Sequence, residues 1–181
     1  ENGFIWRLDY YVSERVCPKI REWMDEGKPV VPISVNLSRR DFEQEDLVED
    51  ICRLIDRYEI PHRYIHMEVT ESAYTENPEQ VIRKVTGLRK AGFQIEMDDF
   101  GTGYSSLNML SELPIDILKL DKRMAQKRNV QQNRTILNFV FGLAQCIGLI
   151  TVAEGVENVD MVNKLRALGC DMVQGYYYAK P

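Results

Sequence analysis

The acid pair Asp98-Asp99 closes the run Phe93 to Met97 and is followed at once by Phe100-Gly101-Thr102-Gly103-Tyr104-Ser105-Ser106. A strand that ends in two carboxylates and a glycine-spaced turn delivers acid groups to the mouth of a cleft. Neighbouring side chains on a regular strand point to opposite faces, so Asp98 and Asp99 reach one site only where the strand ends or bulges. Taken alone, the pair also reads as a strand cap or the start of a turn. The elements around it decide between these readings.

Strand-like runs recur at Val30 to Leu37, Tyr64 to Thr70, Phe93 to Asp99, Ile115 to Asp121, Leu149 to Glu154 and Cys170 to Tyr178. Helical periodicity separates them. Leu8, Val12, Val16, Ile20 and Trp23 form one apolar stripe, with Pro18 predicting a kink or two shorter helices. Leu47, Val48, Ile51, Leu54, Ile55 and Tyr58 form a second stripe, ended by Pro61. Asn77-Pro78-Glu79-Gln80 has the residues of a helix start: a capping Asn, Pro at the first helical position and Gln three residues after the cap. A short helix is expected from Ser105 to Leu110, and longer ones end at Gly92, Gly148 and Gly169, each followed by a strand. Strands alternating with helices, without hairpin signals, predict parallel pairing through crossover helices in a single α/β domain over residues 1–181.

Strand parity then sorts the polar residues. In Ile33-Ser34-Val35-Asn36-Leu37 the apolar set faces the helices, leaving Ser34 and Asn36 on the other face. The same division places Glu68 with His66 and Thr70, Asp98 with Glu96, Lys119 with Ile117 and Asp121, Glu154 with Val152, and Gln174 with Met172 and Tyr176. In a parallel β/α barrel that face is the interior, and active sites lie at the C-terminal ends of the strands. Asn36, Glu68, Asp98, Asp99, Lys119, Glu154 and Gln174 are therefore expected to converge. Carboxylates with one amide oxygen and no thiolate suit hard octahedral cations, Mg²⁺ or Mn²⁺, rather than Zn²⁺. Two such ions form the usual clamp for in-line displacement at a phosphoryl centre. Lys119 would position the attacking water or offset developing negative charge. Gln174 and Tyr176 suit a substrate, through an amide and an aromatic face.

Composition narrows the partners. The 181 residues are 44% hydrophobic, enough for one sizeable core. A net charge of −5 opposes a broad DNA-binding surface, though a small anion remains compatible if metal ions meet its charge. Cys17, Cys52, Cys146 and Cys170 are widely spaced, which suggests neither a zinc site nor a disulfide framework and predicts a cytoplasmic setting. No apolar run approaches the roughly 20 residues that span a bilayer, so this domain is not expected to insert directly into a membrane.

Val35-Asn36-Leu37-Ser38, Glu68-Val69-Thr70-Glu71-Ser72, Asp98 to Ser106, Lys119-Leu120-Asp121, Ala153-Glu154-Gly155-Val156-Glu157 and Gln174-Gly175-Tyr176 closely resemble, in order and spacing, the successive motifs of EAL-domain cyclic di-GMP phosphodiesterases. The resemblance runs from Glu1 to Pro181. It implies a variant TIM-type barrel that hydrolyses cyclic di-GMP to linear pGpG with two Mg²⁺ or Mn²⁺ ions. By that resemblance Asn36, Glu68, Asp98, Asp99 and Glu154 match metal ligands, Lys119 matches a water-contacting lysine, and Glu154 is also a candidate general base. Glu71 matches a glutamate that steadies the loop after Asp99, Gln174 a residue beside the substrate, and Asp121 and Glu157 orient the others. Family habit further implies homodimers and a sensor or GGDEF domain in the same polypeptide. The competing functions are a catalytically inactive cyclic di-GMP receptor or interaction module, and an unrelated metal-dependent barrel enzyme such as an aldolase.

Three departures stand out. No Glu-Ala-Leu tripeptide occurs, and with it go a metal-ligand Glu, a phosphate-binding Arg and the first two barrel strands, leaving six of eight. Glu96 stands where the family usually has a small residue, and Lys122-Arg123-Met124 where a small residue and Phe are common. Glu96 either burdens the acidic site with another charge or pairs with a neighbouring cation such as Lys119. His66 reads as a core histidine with satisfied hydrogen bonds. The first departure predicts that these 181 residues alone turn over cyclic di-GMP poorly or not at all. Full turnover by a preparation whose intact mass matches this sequence would overturn that.

Overall fold

The computed structural model describes residues 4–101, 107–126 and 130–180. Helix α1 (Phe4–Asp25) leads into strand β1 (Ile33–Leu37), α2 (Arg39–Phe42), α3 (Leu47–Arg57), β2 (Ile65–Thr70), α4 (Glu71–Glu76), α5 (Pro78–Lys90) and β3 (Gln94–Phe100). Then follow α6 (Leu107–Glu112), β4 (Ile117–Leu120), α7 (Lys122–Gln126), α8 (Val130–Cys146), β5 (Ile150–Ala153), α9 (Val159–Ala167) and β6 (Met172–Val173). Among the described residues the six strands form one sheet in the order β1 to β6, and every neighbouring pair is parallel. These are the strands of a TIM-type barrel wall, in the α/β class that the alternation predicts.

The helix-facing sides of the strands bury Val35, Leu37, Met67, Val69, Ile95, Met97, Leu118 and Leu120 with Leu54 and Ile55 of α3 and Val85 and Leu88 of α5. Each large aliphatic side chain so buried contributes about 1.5–3 kcal/mol. The predicted helix starts and stops recur. Asn77 Oδ1 accepts the Gln80 N–H at 3.3 Å, and Gly92, Gly148 and Gly169 take the left-handed conformation that ends α5, α8 and α9 (φ 101°, 77° and 85°). Aspartates just before β4 and β6 fix the lower ends of the neighbouring strands β3 and β5. Asp116 Oδ2 accepts the Ile95 N–H at 3.0 Å, and Asp171 Oδ2 accepts the Thr151 N–H at 2.8 Å.

Three sequence expectations need correction. Helix α1 runs through Pro18 as one element, which excludes the two shorter helices. Pro18 is exposed, so water can meet the carbonyl that loses its helical partner. The buried face of α1 is Ser13, Cys17 and Ile20, whereas Leu8 and Val12 are 48% and 46% exposed. Ser13 Oγ donates to Asp9 O and Cys17 Sγ to Ser13 O, so these small polar side chains are satisfied within the helix and can face the core. The last strand covers only Met172–Val173, and residues 175–178 turn instead, which removes Tyr176 from strand parity.

Asp41 caps α2 and is fully buried; its Oδ2 accepts from Ser38 N at 2.5 Å and from Ser38 Oγ at 2.9 Å. Its carboxyl also meets that of Asp9 on α1. Burial pushes Asp41 up to about 7, Ser38 opposes the rise, and Asp9 adds to it. A raised carboxyl holds its proton more tightly when folded. Its contribution is therefore full below about pH 4 and is lost at roughly 1.4 kcal/mol per pH unit as pH rises toward 7. Asp41→Asn keeps an acceptor for Ser38 without the charge. Thermal denaturation at pH 5 and pH 8 is expected to show the variant gaining on the wild type at the higher pH; parallel profiles would refute this.

Candidate active site

The site is built at the C-terminal ends of the strands. Register places Asn36 of β1 beside Glu68 of β2, and Glu68 beside Glu96 of β3, with Asp98 one level higher beside Thr70. Lys119 lies on β4 opposite Val152 of β5. Glu154 follows β5, where its N–H bonds to Leu120 O at 3.0 Å. Strand β3 breaks its pairing with β4 between Met97 and Phe100, and Asp99 adopts φ 58°. That left-handed conformation costs a non-glycine residue about 1–2 kcal/mol, less for Asp than for most. It is the bulge that an acid pair serving one site requires.

Lys119 joins the acids. Its Nζ lies 2.5 Å from Glu68 Oε1, 2.8 Å from Glu154 Oε1 and 3.4 Å from Asp98 Oδ1. Burial works against its charge, but the hydrogen bonds it donates to Glu154 and Glu68 outweigh it, and Lys119 holds its proton well above the ordinary lysine range. Burial pushes the Glu68 carboxyl up, opposed by Lys119 and aided by Asp98 and Glu96. Asp99 is likewise raised by burial, then by Asp98 and Asp121, with Arg123 and Lys119 opposing. Burial would raise Asp121 too, yet its Oδ1 accepts from Arg123 N and Nε, each at 2.8 Å, and its carboxyl stays below the usual range.

The other sequence-predicted residues take varied places. Asn36 is exposed on the open face of β1, the edge strand. Glu71 heads α4 and is buried. Glu154, Glu157, Gln174 and Tyr176 line a cavity of about 240 Å³ with Lys122, Gly155 and Gly175. Gly101 has φ 92° and opens the expected turn; Gly103 and the start of the helix expected at Ser105 lie outside the described residues. Glu96 pairs with His66, whose Nδ1 is 2.6 Å from Glu96 Oε1, and not with Lys119. Burial would raise Glu96, but this contact helps to hold it below the usual range. Sequence reasoning marked Lys122 and Arg123 as a family departure bearing on packing or an oligomer contact and gave neither a place in the site, because both follow the end of β4, where parity stops.

Among the described residues no three His, Cys, Asp or Glu side chains are grouped to hold an ion by themselves. The donor chemistry does fit a hard cation. Glu68, Asp98 and Glu154 bring oxygens around one centre of positive charge, and Asp98 Oδ1 is buried without a hydrogen bond among the described residues.

Fold and site together define a parallel β/α protein with an acidic, lysine-centred cleft at its strand ends. A family model described as EAL domain matches residues 1–181, and the chain belongs to that family. It is 31% identical to signaling protein YkoW of Bacillus subtilis over 100% of this chain and 23% of that protein. It is 34% identical to cyclic di-GMP phosphodiesterase NbdA of Pseudomonas aeruginosa over 99% of this chain and 23% of that protein. The chain thus spans about a quarter of these relatives. The MucR phosphodiesterase in complex with c-di-GMP superposes with TM-score 0.91 at 32% identity, covering 99% of this chain and 73% of that one.

Removing the ammonium of Lys119 tests the arrangement directly. Lys119→Met leaves Glu68 buried beside Asp98 and Glu154 with no cation, and is expected to cost about 3 kcal/mol in chemical denaturation. Added Mg²⁺ or Mn²⁺ should restore part of that loss. A variant as stable as the wild type, and indifferent to metal, would show that the carboxylates are not mutually dependent.

Proposed function

We propose that the protein hydrolyses cyclic di-GMP to linear pGpG with two Mg²⁺ or Mn²⁺ ions held by Asn36, Glu68, Asp98, Asp99 and Glu154. The observation that carries this reading is the convergence of Glu68, Asp98 and Glu154 on Lys119, beside the cleft that Gln174 and Tyr176 line. Relatives named cyclic di-GMP phosphodiesterases support the substrate. The bound ions would supply Lewis acidity at the phosphoryl oxygens.

The chain's own residues do the positioning and the proton transfer. A water oxygen bonds to phosphorus while one P–O3′ bond breaks, leaving a 5′-phosphate and a free 3′-hydroxyl. Glu154, with a quarter of its side chain exposed, accepts the proton of the attacking water. Lys119 stays charged and offsets the negative charge gathering on the phosphoryl oxygens. The departing 3′ oxygen takes its proton from solvent. Gln174 and Tyr176 orient a guanine by hydrogen bonding and stacking, while Asp121, Glu157 and Glu71 fix the residues around them.

Homodimers and a sensor or GGDEF domain in the same polypeptide belong to this proposal. A relative named as a bifunctional diguanylate cyclase/cyclic di-GMP phosphodiesterase, MucR of Pseudomonas aeruginosa, is 31% identical over 100% of this chain. The second reading is a receptor that binds cyclic di-GMP without turnover. It is favoured by one feature: among the described residues the carboxylates surround Lys119 and form no three-acid group for an ion.

The two readings separate in one assay. The natural full-length protein is incubated with cyclic di-GMP and Mg²⁺ or Mn²⁺, and pGpG is followed by chromatography. Turnover is expected, with Glu154→Ala at least about 100-fold slower, the usual range for a lost general base. Tight binding without product would establish the receptor instead.

A further inference from the structure

Lys122 sits where three segments meet. It opens α7 directly after Asp121, is exposed, and lines the 240 Å³ cavity with Glu154, Glu157, Gln174 and Tyr176. Its stem lies across the loop between β5 and α9. A Cβ added at Gly155 would fall 2.4 Å from Lys122 Cβ, so only glycine leaves room for this crossing. The opposite wall presses on the same loop. A Cβ at Gly175 would come within 2.2 Å of Val156 O, and the backbone bonds Val156 N to Gln174 O and Tyr177 N to Val156 O, each at 3.0 Å, hold the turn there.

The charge of Lys122 is available, unlike that of its neighbours. Among the described residues Lys119 is engaged by three carboxylates and Arg123 by Asp121, whereas no carboxylate lies within 4.0 Å of Lys122 Nζ. Lys180 stands nearby, 5.9 Å over the Tyr176 ring. A cleft walled by Glu154 and Glu157 repels an anionic ligand unless a cation is presented beside them.

We propose that Lys122 is a specificity-determining residue that contacts a phosphate of the dianionic cyclic dinucleotide while Gln174 and Tyr176 take the adjoining base. This rests on the phosphodiesterase reading above. Gly155 orients the stem, and the ammonium supplies the attraction that sets affinity. The reacting atoms do not involve it, so its loss acts on KM rather than on kcat.

The test is steady-state hydrolysis of cyclic di-GMP by the natural full-length protein with Mg²⁺, comparing wild type, Lys122→Met and Lys122→Arg at low and high salt. Lys122→Met keeps the stem on Gly155 and removes the charge. It is expected to raise KM about tenfold with kcat within about twofold, and to flatten the rise of KM with salt. Lys122→Arg should restore most of the affinity. Unchanged KM in Lys122→Met, or a loss confined to kcat, would overturn the assignment. A fall in its melting temperature with Lys122→Arg equally impaired would mark a structural role and overturn it too. Absence of both binding and turnover in the wild type would instead remove the phosphodiesterase reading on which it stands.

Discussion

Three carboxylates from three different strands cannot be gathered at the end of a parallel sheet without positive charge among them. Glu68, Asp98 and Glu154 meet this constraint through Lys119, which reaches all three. At such separations like charges cost several kcal/mol in a partly dry environment, and the same dryness strengthens each contact to the ammonium. The pairing therefore ties β2, β3, β4 and the end of β5 together through side chains as well as through the ladder. An acidic centre held this way is assembled by folding itself, with its electrostatic cost already met.

Beside that centre lies a second contact with a different task. Glu96 faces the same side as Glu68 and Asp98, directly opposite Glu68 across the sheet and two residues before Asp98 on β3. Left ionised alone it would oppose the ionisation of both. His66, two residues before Glu68 on β2, lies in contact with it. This makes the unusual acid compatible with its neighbours, while Lys119 bonds to Glu68 and Glu154. Glu96 and Glu68 thus take different hydrogen-bond partners, His66 for the one and Lys119 for the other.

Much of this was legible because strand parity is a period of two and survives without any structure. Parity grouped Glu68, Asp98, Lys119 and Glu154, and the adjacency of Asp98 and Asp99 demanded the irregularity that Asp99 shows at φ 58°. The helix ends were legible for a similar reason, since Asn77, Gly92, Gly148 and Gly169 each satisfy a local backbone need. What failed was tertiary. The hydrophobic stripe of α1 suggested that Leu8 and Val12 face inward, but Ser13 and Cys17 satisfy their polar groups within the helix and take that face. The approach of Asp9 to Asp41 joins residues far apart in sequence, and no local pattern announces it. Partner choice was likewise invisible for Glu96, since both His66 and Lys119 were compatible with its parity.

The loops past the strand ends obey a different logic, set by how closely backbones approach. Gly101 opens the turn after the acid pair, and Met124 of α7 packs directly against it. Gly155 admits Lys122, and Gly175 admits the backbone of Val156. Three glycines from three motifs thus bring α7 and the last two loops around one cleft. Read singly, each glycine signals only a turn. Read as points of contact, they explain why Lys122 and Met124, which follow β4 and have no strand parity, end beside groups from β3 and β5. The acids fix where the chemistry lies, and the glycines fix which side chains from neighbouring loops can border it.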